Sequence, residues 1–191
     1  MDEKMKKLIV ICGAPGSGKT TVQNYLLKKY GFQRVITHTT RQPRIMEKNK
    51  VDYYFESEDS FYKNHFIEYV EYAGHMYGSS YEGLELAFQK SDTVTIVLDT
   101  KGVLSYKKAI KDIQTLFWYI KVPDTKQISG RILKRGESEQ EVAKRLTSLE
   151  ARRDMTIPQK LVPFCTVIEN GVWQNTKHIV NQTLKDAGFK V

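Results

Sequence analysis

The sequence contains no long apolar run and only two cysteines. A membrane-spanning helix requires roughly 18 to 20 consecutive apolar residues, whereas the apolar run after the charged N-terminus extends only from Leu8 to Cys12. We therefore expect a chain that neither spans a membrane nor is exported, and we predict a cytoplasmic location. Cys12 and Cys165 both lie in apolar stretches, which is typical of buried thiols in a reducing compartment rather than of a disulfide or a metal cluster.

Internal repeats, low-complexity tracts and Pro- or Gly-rich linkers are also missing, which argues against separately folded domains. With 191 residues, of which 40% are hydrophobic and 27% charged, the chain has the size and composition of one compact domain with its own core. The net charge of +8 is compatible with an anionic partner, although composition alone favours a basic surface without a specific ligand. Charge alone does not distinguish nucleic acid, anionic lipid and nucleotide phosphates.

Short apolar runs with strand character alternate with helical patterns along most of the chain. The predicted strands are Lys7–Cys12, Gln33–Thr37, Thr93–Leu98, Leu116–Val122 and Thr166–Glu169, and the predicted helices are Gly18–Lys29, Lys101–Asp112, Ser138–Arg153 and Trp173–Ala187. This alternation predicts an α/β fold around a parallel sheet. The polar, aromatic-rich stretch from Arg41 to about Tyr81 interrupts the alternation, and we interpret it as an insertion.

A phosphate-binding loop is predicted directly after the first strand. The pattern G-x-x-x-x-G-K-[ST] is matched by Gly13-Ala14-Pro15-Gly16-Ser17-Gly18-Lys19-Thr20. Glycines let the backbone N–H groups point at phosphate oxygens, and the following helix presents its N-terminal dipole to the same anion. Lys19 is predicted to bridge the β- and γ-phosphates and the Thr20 hydroxyl to ligate Mg²⁺. Many NTPases, transporters and kinases share this loop, so it indicates a nucleoside triphosphate but no second substrate.

Four further blocks resemble the guanylate kinase family in content and order. They are Thr37–Arg44, Asp52–Phe55, Phe66–Tyr69 and Tyr77–Ser80, and they are joined by Asp99–Gly102, Arg135–Gly136, Lys144–Leu146 and Val167–Asn170. The resemblance covers nearly the whole chain, 1–191, as a single domain. It implies a P-loop kinase with a five-stranded, mostly parallel sheet flanked by helices. The implied core is 1–35, 89–123 and 156–191, with a small mixed α+β insertion, 36–88, that binds the nucleoside monophosphate, and a helical lid, 124–155.

The resemblance implies that the chain phosphorylates GMP with ATP in guanine nucleotide salvage and recycling, and that it uses Mg²⁺. The implied ATP-binding residues are Gly13, Ala14, Pro15, Gly16, Ser17, Gly18, Lys19, Thr20, Thr21, Arg131, Arg135 and Asn170, and the implied catalytic residues are Lys19, Arg41, Arg131, Arg135 and Arg145. No general base is needed, because the acceptor phosphate is already an anionic nucleophile. The implied partners are small nucleotides, without nucleic acid or membrane; a monomer and a homodimer both remain open.

The acceptor phosphate is expected at two arginines. Arg41 and Arg44 bracket a proline in a predicted loop, and two guanidinium forks that converge there suit a monophosphate. The hydroxyls of Tyr53 and Tyr77 are candidate further donors.

The acceptor base is expected at Glu68. A carboxylate accepts from the N1–H and N2–H₂ donors of guanine, and it faces the wrong pattern in adenine. By the resemblance, Thr37, Ser79 and Asp99 complete the recognition of the base.

The lid is predicted to carry basic residues on its helices. If Asp124–Arg135 is helical, Arg131 and Arg135 share a face, and Arg145 and Arg152 do likewise because they are seven residues apart. The segment Ser138–Glu141 has the pattern of a capping box that begins a helix. Such a lid would close over the triphosphate, exclude water and offset charge on the transferring group.

The sequence also departs from the family. Met46 and Lys50 hold places where the family usually has glycine, and Val97 holds a place where it usually has aspartate, so the loop shape and the metal or nucleotide coordination could differ. The lid segment between Gly136 and Lys144 is one residue short. The segment Ala14–Ser17 is similar to the loop of other small-molecule kinases, such as adenylate kinase.

Three alternatives stay open at this point. One is a related P-loop kinase that acts on a phosphorylated sugar or another nucleotide. A second is a kinase-like binding module that has lost catalysis, although the intact Lys19 and Thr20 argue against it. The third is nucleic-acid binding through the basic surface, which would make oligonucleotide affinity strongly salt-dependent.

Overall fold

The structure is a computed structural model, and it describes residues 5–72, 74–124, 126–134, 136 and 138–189. The strands are β1 Lys7–Cys12, β2 Gln33–Arg34, β3 Thr37–Thr39, β4 Tyr53–Phe55, β5 Phe66–Tyr72, β6 His75–Ser80, β7 Thr93–Val97, β8 Gln114–Lys121 and β9 Cys165–Glu169. The helices are α1 Lys19–Tyr30, α2 Glu58–Phe61, α3 Tyr81–Phe88, α4 Thr100–Ala109, α5 Lys126–Leu133, α6 Glu139–Thr147, α7 Leu149–Asp154 and α8 Trp173–Asp186.

A five-stranded parallel sheet forms the core, in the order β2-β7-β1-β8-β9. Its central strand, β1, is buried on both faces, as continuous apolar strands of parallel sheets are. Leu8 and Val10 pack into the apolar cluster on one face, and Ile9 and Ile11 pack into the cluster on the other. The prediction of an α/β fold with a parallel sheet is confirmed.

The carboxyl ends of β1 and β7 position candidate site residues at one edge of this sheet. In the register of β1 with β7, Ile11 pairs with Val97, so the two chains leave the same edge of the sheet side by side. The phosphate-binding loop follows β1, and Asp99 follows β7. Ligands of open α/β sheets bind at this carboxyl edge of the strands.

A second sheet lies within the stretch predicted as the insertion. Its order is β4-β3-β6-β5; β3 and β4 are parallel, whereas β6 is antiparallel to both β3 and β5. The mixed sheet confirms the predicted mixed character of this stretch. The limits of insertion, core and lid stay predictions.

Two predicted elements are wrong. The single strand Gln33–Thr37 is two strands in different sheets, because the chain leaves the core sheet after Val35, whose N–H bonds to the Thr95 carbonyl at 2.9 Å. The single helix Ser138–Arg153 is broken at Ser148, which has extended backbone angles and caps α7 by accepting from the Ala151 N–H. Arg145 and Arg152 therefore lie on different helices and do not share a face.

The predicted capping box at the start of α6 is confirmed. The Ser138 N–H donates to Glu141 Oε2 at 2.8 Å, and the Glu141 N–H donates to Ser138 Oγ at 3.3 Å. None of the helices in the described part of the chain combines the length and the apolar composition that crossing a bilayer requires.

Candidate active site

The phosphate-binding loop is shaped by glycines and held by a neighbouring strand. Gly18 has φ +98°, in the left-handed region, and a Cβ there would lie 2.0 Å from Asn170 Nδ2. The same Nδ2 donates to the Ser17 carbonyl at 2.7 Å, and Asn170 Oδ1 accepts from Thr176 Oγ1 at 3.2 Å. The buried Asn170 side chain thus supports the loop from beneath. Its predicted contact with ATP stays a prediction.

The apolar side of the loop packs on the lid. Ala14 is buried in a cluster with Ile128 and Ile132 of α5, and a Cβ at Gly16 would meet both isoleucines at 3.0 to 3.1 Å. Ser17 Oγ is buried beside Gly13 and has no hydrogen-bond partner among the described residues. One side of the loop is therefore packed against α5, and the Ser17 hydroxyl is buried inside the turn of the loop.

Lys19 and the two threonines after it begin α1. Lys19 Nζ donates to the carbonyl oxygens of Gly13 and Ala14, each at 2.8 Å. A cavity of about 420 Å³ beside the loop is lined by Lys19, Thr20 and Thr21. Lys19 also lines a second, larger cavity.

The larger cavity, of about 570 Å³, lies between the phosphate-binding loop, the second sheet and the lid. It brings together most of the predicted site residues: Gly13, Pro15, Lys19, Thr37, Arg41, Arg44, Tyr53, Glu68, Tyr77, Asp99 and Arg145. The residues predicted for the donor and those predicted for the acceptor therefore face one space.

The second sheet presents its polar residues on the face that borders this cavity. Side chains alternate between faces along a strand, and paired residues share a face. Thr37 pairs with Tyr53, Glu68 with Ser79, and Val70 with Tyr77. The register thus places the predicted base and phosphate contacts on the same side.

Arg41 and Arg44 share a carboxylate that the sequence did not indicate. Arg41 Nη2 donates to both Glu47 oxygens at 2.9 Å, and Arg44 Nη1 lies 3.5 Å from Glu47 Oε1. Arg41 also stacks over the Tyr53 ring, with its guanidinium carbon 5.6 Å from the ring centroid. Glu47 therefore holds the two guanidinium groups together at one end of the cavity.

Glu68 is a buried carboxyl group at the other end of the acceptor side. Its side chain accepts from Ser79 Oγ at 2.9 Å, and the residue is only 9% exposed. Burial raises the pKa of the Glu68 carboxyl from its ordinary value of 4.5 to about 8. The hydrogen bond from Ser79 opposes this rise, and the negative charge of Asp99 adds to it.

Asp99 begins α4 and is held by two donors. Its Oδ1 accepts from the Gly102 N–H at 2.6 Å, and its Oδ2 pairs with Arg153 Nη2 at 2.5 Å. Arg153 was missed by the sequence analysis, which considered its neighbour Arg152 instead. The one signal in the sequence is the acidic Asp154 beside it, which the fold buries.

The lid residues differ in where they lie. Arg145 lines the cavity from α6, together with Lys144 and Glu141. Arg131 lies on α5, and its Nη2 donates to the Asn170 carbonyl at 3.2 Å, close to the base of the loop. Arg135, predicted to share a face with Arg131, lies outside the described residues.

A phosphate-binding loop at the carboxyl edge of a parallel sheet, an arginine pair in the loop that follows β3, and Arg145 of α6 line one cavity. Together they define a P-loop protein of the nucleotide kinase type. The guanylate kinase family model matches residues 5–187 of the chain. The chain belongs to the guanylate kinase family, and it is accordingly a kinase, a nucleotide-binding transferase.

Individual relatives agree with this assignment. Guanylate kinase of Thermus thermophilus is 33% identical over 149 residues, which are 75% of this chain and 67% of that protein. Guanylate kinase of Sus scrofa is 31% identical over 169 residues, which are 85% of this chain and 83% of that protein. The crystal structure of guanylate kinase from Anaplasma phagocytophilum resembles the fold with a TM-score of 0.61 at 20% identity, covering 97% of this chain and 88% of that one.

Proposed function

We propose that the chain transfers the γ-phosphoryl group of ATP to GMP and forms ADP and GDP. The observation that carries the proposal is one cavity that is lined by Lys19 of the phosphate-binding loop, by Arg41 in the loop after β3 and by Glu68 of β5. A donor nucleotide and an acceptor nucleotide bound at these two sides would meet with their phosphates between them. Membership of the guanylate kinase family supports both substrates.

The acceptor base is read by Glu68. Its carboxylate would accept from the N1–H and N2–H₂ groups of guanine, and Ser79 holds it in place with a hydrogen bond of 2.9 Å. Because Glu68 is only 9% exposed, adenine would leave a buried acceptor without a donor, which strongly disfavours it. Thr37 and Asp99 line the same cavity and would complete the contacts.

The acceptor phosphate is held by Arg41 and Arg44, with the Tyr53 and Tyr77 hydroxyls as further donors. Glu47 keeps both guanidinium groups at one place through its contacts of 2.9 and 3.5 Å. The hydrogen bonds that the two guanidinium groups would donate to the phosphate are charge-assisted and can be bidentate, and such bonds are among the strong ones that proteins make.

The transfer is in-line. An oxygen of the GMP phosphate forms a bond to the γ-phosphorus, while the bond from that phosphorus to the β–γ bridging oxygen breaks and ADP leaves. Lys19, Arg145 and Arg131, with the predicted Arg135, would offset the charge of the transferring group. The work of the protein is alignment and charge stabilisation, so a proton-accepting side chain has no part in it.

The residues beside the phosphate-binding loop are compatible with Mg²⁺ bound together with ATP. The Thr20 hydroxyl lies at the start of α1 and lines the cavity beside the loop, and a single hydroxyl oxygen suits a cation that keeps several waters. The side chain of Val97 lines the same cavity and has no ligating atom. The remaining ligands that we propose are phosphate oxygens and water. When bound, the ion would neutralise charge on the β- and γ-phosphates.

The wider role that we propose is guanine nucleotide salvage and recycling in the cytoplasm. Both cysteines are free thiols, as expected of a reducing compartment. The proposed partners are the two nucleotides, without nucleic acid or membrane, as monomer or homodimer.

The test is ADP formation from Mg·ATP with GMP, dGMP, AMP, CMP and UMP in turn. We expect turnover only with guanine nucleotides, its loss in Lys19→Ala, and a strong reduction in Glu68→Gln. Matched controls are Lys28→Ala, at the exposed end of α1, and Glu71→Gln, which is exposed on the same strand as Glu68. If another acceptor turned over while GMP stayed inert, the chain would be a related kinase; if ATP did not bind at all, it would be a binding module.

A further inference from the structure

Arg153 connects the last helix of the lid to the acceptor side of the cavity. Its Nη2 lies 2.5 Å from Asp99 Oδ2, and its Nε donates to Asp154 Oδ1 at 2.8 Å. The side chains of the two carboxylates are 7% and 2% exposed, whereas that of Arg153 is 32% exposed. One partly exposed guanidinium group thus compensates two buried negative charges.

The geometry of Asp99 is fixed at both of its oxygens. The N–H of Gly102 holds Oδ1 at the start of α4, and Arg153 holds Oδ2 from α7. Asp154 is itself held by the Thr100 hydroxyl, so α4 and α7 are joined at two successive residues. An ionised carboxylate has about four acceptor sites, and these two bonds leave acceptor capacity for a ligand.

Asp99 and Glu68 lie on either side of one small residue. A Cβ at Gly102 would lie 2.9 Å from Glu68 Oε2 and 3.2 Å from Asp99 Oδ1. The negative charge of Asp99 raises the pKa of Glu68. The groups that face Glu68 are Asp99, Ser79 and the buried Tyr106. The other charged residues that line the larger cavity are Lys19, Arg41, Arg44, Glu141, Lys144, Arg145 and Asp154.

We propose that Arg153 is a positioning residue for guanine selectivity, because it holds Asp99 beside Glu68, so that the base pocket presents two carboxyl groups. This inference rests on the proposed phosphorylation of GMP. Guanine offers both a ring N–H and an exocyclic amino group, whereas hypoxanthine offers the ring N–H alone. A pocket with two fixed carboxylates therefore favours GMP over IMP, and loss of Arg153 removes this preference.

The experiment is steady-state kinetics with GMP and IMP for the wild type, Arg153→Met, Arg153→Lys and the control Arg152→Met, which loses the same charge at the exposed neighbouring position. For Arg153→Met we expect KM for GMP to rise about tenfold, as for loss of a charged hydrogen-bonding partner. KM for IMP is expected to rise much less, and KM for ATP to stay within about twofold because the donor side is untouched. The Arg152→Met control keeps wild-type selectivity.

The dependence of KM on pH provides a readout that a structural role would not change. Without the cation, the Asp99 charge disfavours ionisation of Glu68, which accepts from the ring N–H of both bases. This part of the Arg153→Met defect is therefore shared by GMP and IMP, and it is largest near pH 6.5 and shrinks towards pH 8.5. The preference for GMP that Asp99 confers through the exocyclic amino group is lost at both pH values. Arg153→Lys restores a charge and therefore the wild-type pH profile, and it tests the proposal even if the methionine variant folds poorly.

Two results would overturn the inference: equal losses for GMP, IMP and ATP in Arg153→Met, or an unchanged ratio of kcat/KM for GMP to that for IMP. In either case a wild type that turns over GMP keeps the proposed function intact. A wild type that is inert with GMP would remove the proposed function, and this inference with it.

Discussion

At the scale of single residues, the buried carboxyl of Glu68 makes the acceptor side sensitive to pH. Its pKa lies at about 8, so the neutral form predominates below that pH. The neutral form carries a proton where guanine offers donors, and recognition of guanine needs the carboxylate. Binding of GMP therefore has to remove a proton from the pocket at neutral pH.

We predict that KM for GMP falls as the pH rises from 6.5 to 8.5 in the wild type. The sign follows from the raised pKa of Glu68, since raising the pH populates the form that accepts from guanine. In Glu68→Gln, KM for GMP is expected to be higher and to lack this component of the pH dependence. A wild-type profile that matches that of Glu68→Gln would contradict the prediction.

Lys50 is a second residue with an unusual environment. It has φ +64°, in the left-handed region, and the described residues contain no other non-glycine residue with positive φ. Side chains other than glycine cost about 1 to 2 kcal/mol in this region. The loop that contains Lys50 therefore adopts a left-handed backbone conformation without glycine, the residue that adopts it most easily.

We predict that Lys50→Gly raises the free energy of unfolding by up to about 1 kcal/mol, which is the relieved strain less the entropy that glycine adds to the unfolded chain. The measurement is urea unfolding. The control is Lys48→Gly, two positions earlier on the same exposed loop, which is expected to lower stability. Equal effects of the two changes would show that the backbone at Lys50 is not strained.

At the scale of elements, the phosphate-binding loop was predicted from the sequence because eight consecutive residues specify it. The acceptor residues were expected from the resemblance to the family, and the strand pairing of β3 to β6 places them on one face. Their roles stay predictions. Glu47 and Arg153 were missed for a physical reason. Each acts through partners that the fold, rather than the local sequence, brings near.

The break at Ser148 shows the limit of periodicity. Helical spacing continues from Ser138 to Arg153, but a hydroxyl that caps the next helix competes with the continuing backbone ladder. The direction of α7, and with it the contact between Arg153 and Asp99, depends on that break.

The capping box of α6 gives a prediction at this scale. Ser138→Ala is expected to destabilise the helix by about 1 kcal/mol, because the Glu141 N–H loses the Ser138 hydroxyl that accepts from it. The measurement is amide hydrogen exchange, which should be faster in α6 and unchanged in the core sheet. Ser129→Ala, within α5, is the control and should leave α6 unaffected. Unchanged exchange in α6 would mean that packing, rather than the cap, holds this part of the lid.

At the scale of the whole molecule, three parts of the chain meet at one cavity, so nucleotide binding requires that all three are folded together. The core sheet carries the phosphate-binding loop, the loop after β3 provides Arg41 and Arg44, and α6 provides Arg145. A ligand that contacts all three parts stabilises the native state against the unfolded one.

We predict that GMP at 100 times its Kd raises the free energy of unfolding by about 2.7 kcal/mol, as a single-site ligand does. The measurement is thermal unfolding with GMP, with AMP at the same concentration as the control. AMP should produce little shift because Glu68 rejects adenine, and Arg41→Met should reduce the GMP shift. Equal shifts with GMP and AMP would place the selectivity outside the base pocket.

The bond between Asn170 and Ser17 has a consequence for the order of synthesis. The Asn170 side chain holds the carbonyl of a residue that is 153 positions earlier in the chain. The loop leaves the ribosome well before its supporting amide, which emerges only after β9. A nascent chain would therefore carry the nucleotide motif long before the loop is supported, and a nucleotide could not assist the folding of the segments made between the two.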